Sequence, residues 1–366
     1  MNFDPIPILT ELISFPTLTI DQTICKKGLE YIAGLFDSKF EAKYFEHNGV
    51  FSQLIYPKGR DWQNLKILLN GHLDVVPGSP EIFKPRLEGN KIYGRGAADM
   101  KGGLAALICG FLEVASEKTD LNCGLLITCD EEVGGKNGAG YLVQEIGLKP
   151  EFVLIGDGPR TDRLSITLKE KGGAWIRLQA HGRSAHAARP WLGENALDKI
   201  IDAITKIKEF VGEIEENEWK STYNLARLHT ENITHNAVPD NAEAVIDIRF
   251  TEALAENPKE LLEKIKKLLP GIKVSALTEV ALLKTDPEYA EIKLLRDIAN
   301  TILEQDVPLV FGHGASDGRY FSELGIPVAI IGPIGGGWHA PGEWADVPSL
   351  RTLKNITREF IKTSLS

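Results

Sequence analysis

The chain has 366 residues, 43% of them apolar, and a formal charge of −10. That length exceeds one ordinary core and predicts two domains. An acidic balance without any lysine or arginine block excludes a nucleic-acid surface, where clustered basic side chains drive phosphate binding. No apolar run approaches the ~20 residues of a membrane span, so neither nucleic acid nor a membrane is an expected partner.

The four cysteines, Cys25, Cys109, Cys123 and Cys129, include no C-x-x-C pair and fall mostly in apolar segments, where a reduced thiol behaves as a small hydrophobe. The N-terminus lacks the basic start and apolar run of a signal peptide. Both features predict a cytoplasmic protein.

Apolar spacing of three to four predicts helices over residues 6–15 and 22–36, and strands are expected near 42–45 and 51–55. Residues 65–70 read as a mostly buried strand that exits into Gly71-His72-Leu73-Asp74. The glycine-rich stretch Gly94-Arg95-Gly96-Ala97-Ala98-Asp99 precedes a nearly all-apolar helical segment over 104–115. Leu125-Leu126-Ile127-Thr128 is a second apolar strand, and it runs into Cys129-Asp130-Glu131-Glu132-Val133-Gly134-Gly135. Read alone, that acidic segment is a solvent-facing loop. Residues 152–156 form a third such strand, ending at Asp157, and 327–332 a fourth, leading through a glycine-rich turn to His339.

Short, continuously apolar strands separated by helical stretches predict an α/β domain with a mostly parallel sheet and helices on both faces. Ligands gather beyond the carboxyl ends of such strands, and here four strands each lead to a histidine or an acid. The texture changes between about 171 and 279. Period-two alternation at 174–180, 244–250 and 272–276, with helices at 195–211 and 258–269, predicts a smaller inserted α+β sandwich acting as a lid or dimerisation domain. The predicted layout is a first catalytic part over 1–170, the insert over 171–279, and a second catalytic part over 280–366.

The residues collected at one sheet edge are His72, Asp74, Asp99, Glu131, Glu132, Asp157 and His339. Imidazoles and carboxylates without thiolates suit a catalytic site for zinc or a similar divalent ion. Two ions fit the charge better than one. Their +4 is cancelled by Asp99, Glu132, Asp157 and one bridging hydroxide, which makes burial tolerable.

Five motifs stand in order: Gly71-His72-Leu73-Asp74, the stretch from Gly94 through Asp99 to Gly102, Asp130-Glu131-Glu132-Val133-Gly134, Gly182-Arg183-Ser184-Ala185-His186-Ala187, and Trp338-His339-Ala340-Pro341-Gly342-Glu343. Through them the chain resembles the aminoacylase/carboxypeptidase family of co-catalytic zinc amidohydrolases, of the acetylornithine deacetylase and succinyl-diaminopimelate desuccinylase type, over essentially its whole length. The resemblance implies a zinc-exopeptidase-like fold and two Zn2+ per chain, with Co2+ or Mn2+ as alternatives. It makes Asp99 the bridging ligand, with His72 and Asp157 completing one site and Glu132 and His339 the other. It also implies a cis peptide just after Asp99. Asp74 would orient the His72 imidazole by a hydrogen bond, and Glu131 would be the general base acting on a metal-bridged hydroxide.

The resemblance further implies a homodimer through the insert, in which His186 reaches a partner's site, and substrate contacts at Asn236, Arg249, Ser316 and Arg319. Glu131 and Glu132, taken as consecutive residues of an extended segment, would face opposite sides. The implied reaction is amide hydrolysis of an N-acyl amino acid by a deacylase. A dipeptidase or aminopeptidase acting on short peptides is the alternative, because Asp157 replaces the glutamate common among deacylases. A metal-binding interaction protein without catalysis is the third reading, and the presence of Glu131, which has no ligand duty, argues against it.

Overall fold

The computed structural model describes residues 3–118, 120–158, 162–213, 215 and 218–366. It divides into two compact units. One comprises Met1–Lys169, Lys284–Gly312 and Ser316–Ser366, the other Glu170–Leu283 and His313–Ala315.

The larger unit is built on a sheet whose centre is parallel. Strands Cys123–Thr128, Ile67–His72, Phe152–Ile155 and Val328–Ile330 lie side by side in that order and run in one direction. Every residue in them is buried, which accounts for their uninterrupted apolar sequence: strands covered on both faces have no solvent side to alternate with. The hairpin Phe40–His47 and Val50–Pro57 adds antiparallel strands at one flank, and Ile166–Glu170 pairs antiparallel to Val328–Ile330 at the other.

Register brings the strand exits level. Asn70 lies opposite both Leu126 and Ile155, and His72 lies opposite Thr128. Two residues beyond Ile155, Asp157 therefore comes level with His72, and the period-two alternation of strands directs both side chains to one face.

Helix Lys101–Glu117 covers this sheet and has fifteen buried residues, from Lys101 through Ala115. A Cβ on Gly103 would stand 1.6 Å from the carbonyl oxygen of Gly156. Only glycine permits this approach, which seats the start of the helix, just after Asp99, against the exit of strand Phe152–Ile155. On its outer side the helix packs against Val347–Ser364, whose Leu350, Leu353 and Ile356 are wholly buried.

A second, small antiparallel sheet joins Gly335–Gly336, Trp344–Asp346, Lys91–Tyr93 and Arg86–Glu88. It ties the segment carrying His339 to the segment that leads into Asp99.

The smaller unit has four antiparallel strands ordered Thr222–His229, Asn241–Phe250, Gly172–His181 and Lys273–Val280. Asn241–Phe250 alternates strictly between buried and half-buried residues. Helices Ala196–Val211 and Pro258–Leu268 supply Ile200, Ile207, Leu261 and Ile265 to the core on its inner face. Strand Thr222–His229 was not expected from the sequence. It sits at the sheet's edge with residues 224–229 exposed, so its sequence carries no alternation.

One buried ion network fastens the two long helices of the larger unit. Glu113 accepts from Lys354 Nζ at 2.8 Å, Arg358 Nη1 at 3.1 Å and the Phe3 amide at 2.9 Å. Burial pushes the Glu113 pKa up, but Lys354, the Phe3 amide and Arg358 outweigh it and leave the carboxyl below the ordinary glutamate value. A depressed folded pKa contributes stability above the unfolded value of about 4.3 and loses it as pH falls. Glu113→Gln should therefore lower unfolding free energy by about 3 kcal/mol at pH 7, and in denaturant melts the gap to the native chain should close below pH 4.

Candidate metal centre

The exits of the parallel strands bring the acids and histidines together. His72 ends its strand, and its Nδ1 stands 2.9 Å from the backbone carbonyl of Asp74. A carbonyl only accepts, so Nδ1 carries a proton, and Nε2 is the ring nitrogen left to serve as a ligand atom. That Nε2 is buried without a hydrogen-bond partner, 3.3 Å from Asp99 Oδ1. The other oxygen, Asp99 Oδ2, is 3.3 Å from His339 Nε2, and the same nitrogen is 3.3 Å from Glu132 Oε2. Asp99 thus turns one oxygen to each histidine, and the peptide bond that follows it is cis.

Two groups of donor atoms result. His72, Asp99 and Asp157 form one, Asp99, Glu132 and His339 the other, and within each the donor atoms lie within 4.8 Å of one another. Glu131 belongs to neither. Its Oε2 lies 3.8 Å from His72 Nε2.

The electrostatics call for positive charge. Burial pushes the Glu131 carboxyl well above the ordinary range, and burial raises Glu132 to about 7. Burial opposes a charged His72, yet the Asp74 and Asp99 carboxylates hold its pKa well up. Glu132 Oε1, like His72 Nε2, is buried with no hydrogen-bond partner. Mixed imidazole and carboxylate donors around a shared carboxylate, with unsatisfied buried donor atoms, fit a pair of divalent ions of the zinc type.

Two local details differ from expectation. The Asp74 carboxylate stands 3.5 Å from His72 Nδ1 and leaves the imidazole to its own backbone carbonyl. It accepts instead from the amides of Glu131 at 3.3 Å and Glu132 at 3.2 Å, and from Thr19 Oγ1 at 2.8 Å. Three donors converging on one fully buried carboxylate compete better for its oxygens than a ring nitrogen already satisfied. Second, Glu131–Val133 is not extended but forms one 3-10 turn. The two glutamates diverge because successive residues of such a turn point about 120° apart.

Arg319, expected as a substrate contact, is buried, and its guanidinium donates to the carbonyls of Ser316 at 2.7 Å and of Gly134. Tyr320 Oη also donates to the Gly134 carbonyl, at 2.7 Å. Together they hold the end of the Glu131–Val133 turn. The Ser316 hydroxyl accepts from the Gly318 amide at 3.3 Å.

The remaining sequence-derived candidates belong to the smaller unit. His186 and Asn236 lie on two exposed segments joined by a bridge between His186 and Ala237, with the Ala187 amide donating to the Asn236 carbonyl at 2.8 Å. Arg249 donates through Nε and Nη2 to the Asp247 carboxylate at 3.0 and 3.2 Å. Sequence reasoning missed Thr19, Gln22 and Tyr320, and assigned no role to Asp317. Gln22 Nε2 donates to the carbonyls of Thr19 and Cys129, and Asp317 accepts from Thr128 Oγ1 at 2.7 Å. No motif marks these contacts, because all but the Gln22–Thr19 bond join residues distant in the chain.

Asp74→Asn preserves the volume but turns an amide donor towards backbone donors. Divalent-ion affinity, measured by competition with a chromogenic chelator, should fall 10- to 100-fold. Thr19→Val, which removes only one of the three donors, should change it less than about threefold.

The sequence profile of peptidase family M20/M25/M40 matches residues 68–363. Succinyl-diaminopimelate desuccinylase of Wolbachia pipientis subsp. Culex pipiens (strain wPip) is 27% identical, covering 99% of this chain and 94% of that protein. Among solved structures, the aminopeptidase PepT of Bacillus cereus superposes with a TM-score of 0.77 at 20% identity, covering 99% of this chain and 98% of that one. A dinuclear metal-binding M20-family peptidase of Bacillus subtilis superposes with a TM-score of 0.66 at 14% identity, covering 99% and 97%. This chain belongs to peptidase family M20/M25/M40, and it is a hydrolase of linear amides.

Proposed function

We propose that the chain is a deacylase that hydrolyses the amide bond of an N-acyl amino acid, using two zinc ions held by His72, Asp99, Glu132, Asp157 and His339. The observation that carries the two-ion reading is Asp99, with one oxygen 3.3 Å from His72 and the other 3.3 Å from His339. The acyl amino acid is favoured by the desuccinylase relative, which aligns over nearly the whole of both chains. Co2+ or Mn2+ suit the same donors.

Bound divalent ions supply Lewis acidity and lower the pKa of water towards neutrality. The chain's own residues do the rest. His72, fixed in one tautomer by the Asp74 carbonyl, offers Nε2 as a donor atom. Glu131, held high in pKa by burial, takes the proton of the attacking water and passes it to the leaving amine. The Asp74 carboxylate and Arg319 hold the two ends of the turn that separates Glu131 from Glu132. His186, Asn236, Arg249 and Ser316 are the proposed substrate contacts, on the ground of the family resemblance. For Arg249 this requires exchanging its Asp247 partner for a substrate carboxylate. Arg319, engaged by two carbonyls, serves the turn.

A dipeptidase or aminopeptidase is the second reading, favoured by aspartate at position 157. A homodimer through the smaller unit is supported by strand Thr222–His229, an edge with Leu225 and Leu228 exposed and no partner strand on its outer side among the described residues. Four unpaired buried cysteines support a cytoplasmic location. No helix among the described residues is long and apolar enough to cross a membrane.

The deciding experiment loads the purified chain with two equivalents of Zn2+ and offers N-succinyl and N-acetyl amino acids beside Ala-Ala-type dipeptides. Turnover of acylated amino acids is expected, and turnover of dipeptides alone would install the second reading. Glu131→Gln should keep both ions and lose about 10²- to 10⁴-fold in kcat. Glu132→Gln should lose bound metal, as read by elemental mass spectrometry after dialysis.

A further inference from the structure

Glu343 is 2% exposed and engages the loop before Asp99 at four points. Its main-chain carbonyl accepts from the Gly94 amide at 3.0 Å. Its Oε2 accepts from Arg95 Nη1 at 2.6 Å, and Arg95 is itself 3% exposed. Its Oε1 accepts from the amides of both Ala98 and Asp99 at 3.0 Å. Glu343 is in neither group of metal-donor atoms.

Such an arrangement is costly for stability alone. Burying a carboxylate and a guanidinium costs several kcal/mol per ion before their attraction is counted, and a well-packed apolar pair of similar volume is often as stable. What an apolar pair lacks is an acceptor for two consecutive backbone amides. The Asp99 amide belongs to the residue whose carboxylate faces both histidines, and Glu343 stands four residues after His339. One side chain thereby ties the loop that supplies Asp99 to the loop that supplies His339.

We infer that Glu343 is a positioning residue: it fixes the Asp99 backbone against the His339 segment, and so sets the affinity of the Asp99, Glu132 and His339 site more than that of the His72, Asp99 and Asp157 site. The part concerning affinity rests on the two-ion reading above. The clamp on the Asp99 amide does not.

Two charge-neutral double variants isolate the clamp. Arg95→Met with Glu343→Gln removes the ion pair but retains a side-chain oxygen for the Ala98 and Asp99 amides. Arg95→Met with Glu343→Met removes the oxygen as well. In metal-free protein, amide exchange at Ala98 and Asp99 should stay slow in the first variant and quicken at least tenfold in the second. On titration with Zn2+, the second variant should bind one ion within about threefold of the native chain and the other 10- to 100-fold more weakly. The first should bind both within about threefold.

Unchanged exchange in the second variant overturns the clamp. Native-like affinity at both sites, or equal weakening of both, overturns the selective role. If the native chain binds fewer than two ions, the two-ion reading falls and the selective role with it, while the exchange measurement still decides the clamp. If the Met/Met variant does not fold, Glu343→Asp, which withdraws the carboxylate by one methylene, should show the same selective weakening, and its absence overturns the proposal.

Discussion

The constraint on which the larger unit depends is electrostatic. Asp99, Glu131, Glu132 and Asp157 meet His72 and His339 at the carboxyl end of a sheet whose central strands are wholly buried. Behind them Asp130 and Asp317 add further buried carboxyls, both raised in pKa by burial, and their mutual repulsion raises Asp130 further, to about 7. Carboxylates so placed repel one another and lack water, so the folded chain favours any cation that enters. The fold carries this because each backbone segment is fixed separately. Register levels His72 with Asp157, the Asp74 carboxylate holds the Glu131 and Glu132 amides, and Glu343 holds the Asp99 amide.

The separation of the adjacent glutamates follows from that framework. A 3-10 turn separates their side chains, so Glu132 reaches His339 while Glu131 stays near His72 and outside both donor groups. Asp74 grips the start of the turn, and Arg319 and Tyr320 share the Gly134 carbonyl at its end. The segment expected to be extended is a turn, and it is the turn that sets the two side chains apart.

Much of the larger unit could be read from the chain. Strands buried on both faces announce themselves as apolar runs, and the residue at each exit is legible because polar atoms resume there. The smaller unit was legible where one strand face meets helices and the other water, as in Asn241–Phe250, and illegible at the edge strand Thr222–His229, whose exposed residues leave no contrast of environment to pattern. The small sheet of three short strands and one glycine pair escaped for a related reason: segments of two and three residues contain too few positions to display a period.

The sequence by itself determined which chemistry gathers at the sheet edge, because residue types and their spacing after buried strands are local properties, and the five motifs carried the family. Only the tertiary structure decided which donor serves which acceptor. Asp74 is two residues from His72 in the chain, yet its carboxylate goes to amides nearly sixty residues away. Glu343 crosses more than 240 residues to reach Asp99. Competition for a buried carboxylate is settled by the donors brought within hydrogen-bonding distance of it, and proximity of that kind is a property of the packed chain.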